Sequence, residues 1–131
     1  SVTHGFDTLQ NILSQYNAEN NNMVELVIAN NDSMAIGAVN ALVEKGYNTG
    51  EEGATVIPVF GVDATADAME AIKAGKMTGT IKQDAVVMAD AVATIAANFL
   101  AGKDAFAELN ENYVQVENWK VTIPYSMVTG E

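Results

Sequence analysis

"VELVIANNDSMAIGA", residues 24–38, opens as an apolar run and closes as the start of an apolar-periodic helix. Between the halves stand Asn30, Asn31 and Asp32. A strand-to-helix turn needs one capping residue, so three polar side chains in succession call for a second duty. The run Val24–Ala29 is rich in β-branched residues and fits a buried parallel strand. Residues 33–46 place Met34, Ile36, Ala38, Val39 and Leu42 along a helix that stops at Gly46.

Outward from this stretch the same design recurs twice. "FGVDATAD" (60–67) and "TIKQDAVV" (80–87) each leave an apolar strand through polar residues and enter a helix. The remaining elements fit between these joints. Asp7 followed by Gln10 has the form of a capping box and predicts a helix over 8–16. Strands are predicted over 55–62 and 77–83 and a helix over 65–75, with a long helix ending at Gly102. Pro58 suits an edge or a place where no ladder donor is needed. The tail from Asn112 alternates polar and apolar residues, as one or two extended segments with a turn at Glu117–Asn118. Alternating helices and strands predict an α/β fold, a mostly parallel sheet with helices on both faces. One unit is expected over residues 1–131.

Composition excludes several classes of function. The net charge of −11, from 17 acidic and 6 basic residues, leaves no clustered cations for nucleic acid or an anionic membrane. The absence of Cys excludes a disulfide framework, a thiol nucleophile and a Cys-based zinc site. The stretch 85–102 is interrupted by Asp90 and Asn98 and reads as a core helix rather than a membrane span. His4 is the only histidine and has no nucleophile–base arrangement around it, so no enzyme is predicted. Trp119 in the tail reads as a packing residue.

In a parallel sheet the three joints share the carboxyl edge, where such sheets take their ligands. Asn31, Asp63 and Gln83 then offer two amides and one carboxylate, a set suited to a neutral polyhydroxylated ligand whose hydroxyls both give and receive hydrogen bonds. Phosphate would need helix N-terminal amides, Lys or Arg and a Gly-rich loop, and no such loop is present. Each joint could instead use its polar residues purely as caps. The preferred division is one cap and one ligand contact per joint: Asp32 caps and Asn31 contacts, Thr65 caps and Asp63 contacts, Asp84 caps and Gln83 contacts. Phe6 precedes the expected cap at Asp7, and its staple partner would be Asn11, which is not apolar. Its ring is therefore a candidate to stack on a sugar, against ordinary core packing as the alternative.

"VELVIANNDSMAIGAVNAL", "IPVFGVDA", "IKAGKMTGTIKQD" and "WKVTIPYSMVT" resemble the C-terminal lobe of galactose/glucose-binding periplasmic proteins, within the type 1 sugar binders that include the ribose binders. The resemblance implies one incomplete lobe of the type 1 periplasmic-binding-protein fold, lacking its first β–α portion and the whole N-terminal lobe. It implies the solute-binding component of an ABC sugar importer, in some members also a chemoreceptor ligand. Partners would be a monosaccharide, a membrane permease, and the missing lobe or another chain completing the sheet. The location would be periplasmic or extracellular, with lipid anchoring of a full-length parent an option. Asn31 and Asp63 match sugar contacts of the family, Phe6 falls where galactose/glucose binders stack a Trp, and Gln83 is the residue of ribose binders. Glu25 matches a calcium ligand whose companion ligands are absent from this chain, so no cofactor is expected here, with Ca²⁺ reserved for a full-length parent. The effector-binding core of LacI-type regulators is similar in its "ND.MA.GA" pattern and is the alternative.

Overall fold

The computed structural model describes residues 1–110, 113–116 and 120–130. Trp119 and the turn expected at Glu117–Asn118 lie outside the described residues. The chain forms two compact units, Ser1–Lys82 with Met127–Glu131, and Gln83–Ser126.

In the first unit, α1 (Val2–Leu13), α2 (Asp32–Glu44) and α3 (Ala66–Lys73) alternate with β1 (Val27–Ile28), β2 (Val59–Val62) and β3 (Gly79–Lys82). The strands β1, β2 and β3 are adjacent and parallel, Val27 opposite Val59 and Phe60 opposite Gly79. The sheet order is β1-β2-β3-β6, with β6 (Ser126–Thr129) bonded beside β3. A connection of helix length joins each parallel pair, as parallel strands require. The core gathers Leu9 and Leu13 of α1, Ala35, Ala38, Val39, Ala41 and Leu42 of α2, and Ile57, Val59, Ala68, Ile72 and Met77. Each large aliphatic buried this way contributes about 1.5–3 kcal/mol.

The helix predicted over 8–16 begins at Val2 instead. Ser1 is its cap, accepting from the His4 N–H at 3.3 Å. Asp7 and Gln10 form no capping box; Gln10 Nε2 donates to Glu44 Oε2 on α2 at 2.6 Å. Packing explains the longer helix. A Cβ on Gly5 would run into the Met34 carbonyl, and one on Gly37 into the Val2 carbonyl, so these two glycines let α1 and α2 touch backbone to backbone. A helix starting at residue 8 would forgo that contact.

Asn48 staples the loop between α2 and β2. Fully buried, it donates from Nδ2 to the Ile57 and Lys76 carbonyls at 2.8 and 3.0 Å and accepts from the Ile57 N–H at 2.9 Å.

The second unit holds α4 (Ala85–Leu100) and an antiparallel pair, β4 (Val114–Val116) with β5 (Lys120–Thr122). Of α4, Ala91 and Asn98 are buried, a narrower burial than its apolar composition predicts. Asn98 Nδ2 closes the following turn by donating to the Ala105 and Ala107 carbonyls at 3.2 and 2.7 Å. The Tyr113 hydroxyl donates to Asp90 on α4 at 2.5 Å. That bond, and with it burial and the Asp90 charge, raises the Tyr113 phenol to about 12. Among the described residues no helix is long and apolar enough to cross a membrane.

Candidate functional site

The first two joints lie at the carboxyl ends of neighbouring parallel strands, β1 and β2, and so share one edge of the sheet. The structure reverses the labour expected at the first. Asn31 is the N-cap of α2, its Oδ1 accepting from the Met34 N–H at 3.0 Å. Such a cap contributes about 1 kcal/mol. Among the described residues its Nδ2 has no hydrogen-bond partner, which leaves a donor on a half-buried side chain.

Asp32, expected to cap, is instead 0% exposed. Its Oδ2 accepts from the Thr65 N–H at 2.7 Å and its Oδ1 from the Thr80 hydroxyl at 2.6 Å. The physical reason is distance in the chain: both donors belong to other joints, and a carboxylate accepts at both of its oxygens where an amide accepts at one end and donates at the other. Asp32 also lies in the first turn of α2, where the helix dipole favours negative charge.

At the second joint the expected division holds for the cap. Thr65 caps α3, accepting from the Ala68 N–H at 3.4 Å. Asp63 precedes it, exposed, on a backbone with φ +115°, and Ala64 follows at φ +54°. Two successive non-glycine residues at positive φ store strain of about 1–3 kcal/mol each. The turn is held from within: the Asp63 N–H donates to the Ile81 carbonyl at 2.8 Å and the Ala64 N–H to Thr80 Oγ1 at 3.3 Å.

At the third joint Asp84 caps α4, accepting from the Val87 N–H at 3.2 Å. Gln83 directly follows β3, is half-buried, and opens the second unit. The first unit thus brings Asn31 and Asp63 to one edge, and Gln83 is described with the second.

Phe6 is not ahead of a cap but inside α1, half-buried and packed against the core. Glu25 is exposed ahead of β1, at the opposite end of the sheet from Asn31 and Asp63. It borders a cavity of about 560 Å³ with Asn22, Tyr47 and Pro58. Calcium takes six to eight oxygen ligands, and among the described residues no group of three or more His, Asp or Glu side chains could hold a metal.

Sequence reasoning missed Asp32 and Thr80 as the link between joints. The available signal was Gly61 inside a strand, since glycine there marks a close approach. A Cβ at Gly61 would run into Asp32 Oδ1 and come within 2.9 Å of Met77 Cε.

The pattern of the periplasmic binding protein domain matches residues 1–104. The chain belongs to the periplasmic binding protein family. It is 37% identical over 84 residues to the D-galactose/methyl-galactoside binding periplasmic protein of Haemophilus influenzae, a match covering 64% of this chain and 23% of that protein. It is 36% identical over 81 residues to the ribose import binding protein of Salmonella typhimurium, covering 62% of this chain and 23% of that one. The solved solute-binding protein of Bacillus halodurans with bound myo-inositol superposes with TM-score 0.64 at 29% identity, over 99% of this chain and 37% of that chain. The chain therefore spans well under half the length of these relatives. The α/β fold with its mostly parallel sheet is that of type 1 periplasmic sugar-binding proteins. These relatives are named for binding and import, not for catalysis.

Proposed function

We propose that this chain is the C-terminal sugar-binding lobe of the solute-binding component of an ABC sugar importer. The observation that carries the proposal is the strained, exposed Asp63 turn on the same sheet edge as Asn31. Backbone strain persists where the surroundings over-determine it, and such places gather at ligand clamps.

In this reading the Asp63 carboxylate accepts from two neighbouring hydroxyls of a monosaccharide or cyclic polyol. Asn31 Nδ2 donates to a sugar oxygen while its Oδ1 stays in the cap. Gln83 adds an amide that both gives and receives, and Phe6 offers what ring surface the core leaves to an apolar sugar face. Family membership favours a monosaccharide ligand, and the galactoside- and ribose-binding relatives bracket its identity. A second lobe supplies the remaining hydrogen bonds and closes over the sugar, and a further strand covers the outer edge of β1. Release is to a membrane permease, from a periplasmic or extracellular location, free or lipid-anchored. In a full-length parent Glu25 would be one calcium ligand among others supplied from outside this chain.

The test is calorimetric titration of the full-length protein with galactose, glucose, ribose and myo-inositol. Saturable heat with at least one supports the proposal; no heat with any of them sinks it.

A further inference from the structure

Three consecutive amides, those of Asp63, Ala64 and Thr65, all point inward, and each finds a different acceptor. Asp63 donates to the Ile81 carbonyl, Ala64 to the Thr80 hydroxyl and Thr65 to the Asp32 carboxylate. The last two acceptors are coupled. The Thr80 hydroxyl spends its single hydrogen on Asp32 Oδ1 at 2.6 Å, which leaves its lone pairs to face the Ala64 N–H.

We propose that Asp32 is a positioning residue, whose buried carboxylate clamps the Asp63–Thr65 turn to β3 through Thr80 and so presents Asp63 to the ligand. The proposal rests on the reading of Asp63 as a sugar contact. Asp32 governs two of the three amides, one directly and one by fixing the hydroxyl rotor. Ala64, at φ +54°, is the residue that would relax if its amide lost its acceptor. Gly61 is the space that admits the carboxylate, since a side chain there would collide with Oδ1.

The need for two acceptors separates aspartate from asparagine at this position. In Asp32→Asn the oxygen can meet Thr65 N–H, but the amide then donates to Thr80 and leaves the hydroxyl hydrogen without its acceptor. In Thr80→Val the Ala64 N–H loses its acceptor outright. Thr80→Ser keeps the hydroxyl and restores the chain of bonds.

These three variants of the full-length protein test the clamp through sugar titration calorimetry and site-resolved amide exchange at Ala64 and Thr65. Thr80→Val is expected to bind about tenfold more weakly, with faster exchange at both amides and unchanged exchange in α1 and α2. Asp32→Asn is expected to fall between it and the parent, and Thr80→Ser to return both readouts to the parent's. Parental affinity in both Thr80→Val and Asp32→Asn overturns the proposal. So does weaker binding with exchange at Ala64 and Thr65 unmoved. Where Thr80→Val does not fold, Asp32→Asn decides by the same two readouts. A parent that binds none of the sugars refutes the functional reading alone, and exchange at Ala64 and Thr65 then decides the clamp.

Discussion

Gly61→Ala places a methyl group where the fold has no room. The new Cβ would collide with Asp32 Oδ1, lie 2.9 Å from Met77 Cε and 3.2 Å from Ala35 Cβ. Overpacking of this kind costs about 1–3 kcal/mol. Asp32 cannot step aside without losing Thr65 N–H or the Thr80 hydroxyl, and a buried donor so stranded adds about 1–3 kcal/mol. Alanine recovers about 0.5–1 kcal/mol relative to glycine inside a strand. The net expectation is a loss of about 3 kcal/mol. Urea unfolding followed by circular dichroism measures it as a lower midpoint at an unchanged slope. Gly130→Ala is the control, because its Cβ would meet Ile72 only at an ordinary 3.5 Å. A Gly61→Ala midpoint equal to that of the control would refute the packing argument and the placement of the Asp32 carboxylate with it.

Two further outcomes follow from buried or paired polar groups. Asn48→Ala removes three hydrogen bonds at a fully buried site and puts alanine at φ +52°. It should cost about 3–5 kcal/mol in the same unfolding assay, and a loss under about 1 kcal/mol would contradict the staple. The Tyr113 phenol, held up to about 12 by its bond to Asp90, should titrate well above the ordinary phenol value of about 10. Its folded value lies above the usual 10 or so, so the stability it contributes is complete below about pH 10 and is lost as pH rises toward 12. Phenolate absorbance of the protein against Tyr113→Phe reads this directly; a tyrosine difference titrating near pH 10 would contradict it.

The sheet was legible because periodicity and turn chemistry agree along the chain. β-branched runs end in polar joints, and Gly46 and Gly75 close α2 and α3 where the pattern predicts. Caps at Thr65 and Asp84 followed from the same local rules. The first joint did not, since Asn31 and Asp32 are equally good caps by residue type. What separates them is Thr65 N–H and the Thr80 hydroxyl, brought from 33 and 48 residues away. No local rule carries that information. The start of α1 failed for a similar reason: the Asp7–Gln10 pattern is a valid local signal, overridden by the backbone contact of Gly5 and Gly37 across the helix pair. Phe6 moved with it, from a position ahead of a cap to the flank of the core. In the tail, alternation predicted extended segments but not that β6 would return to the first sheet beside β3.

The role of Asp63 is where fold and function meet, and Asp63→Ala in the full-length protein tests it most directly. Titration calorimetry with the sugar that the parent binds should give no saturable heat, while circular dichroism remains that of the parent. A variant that binds the sugar with parental affinity would make Asp63 a strained turn residue and nothing more.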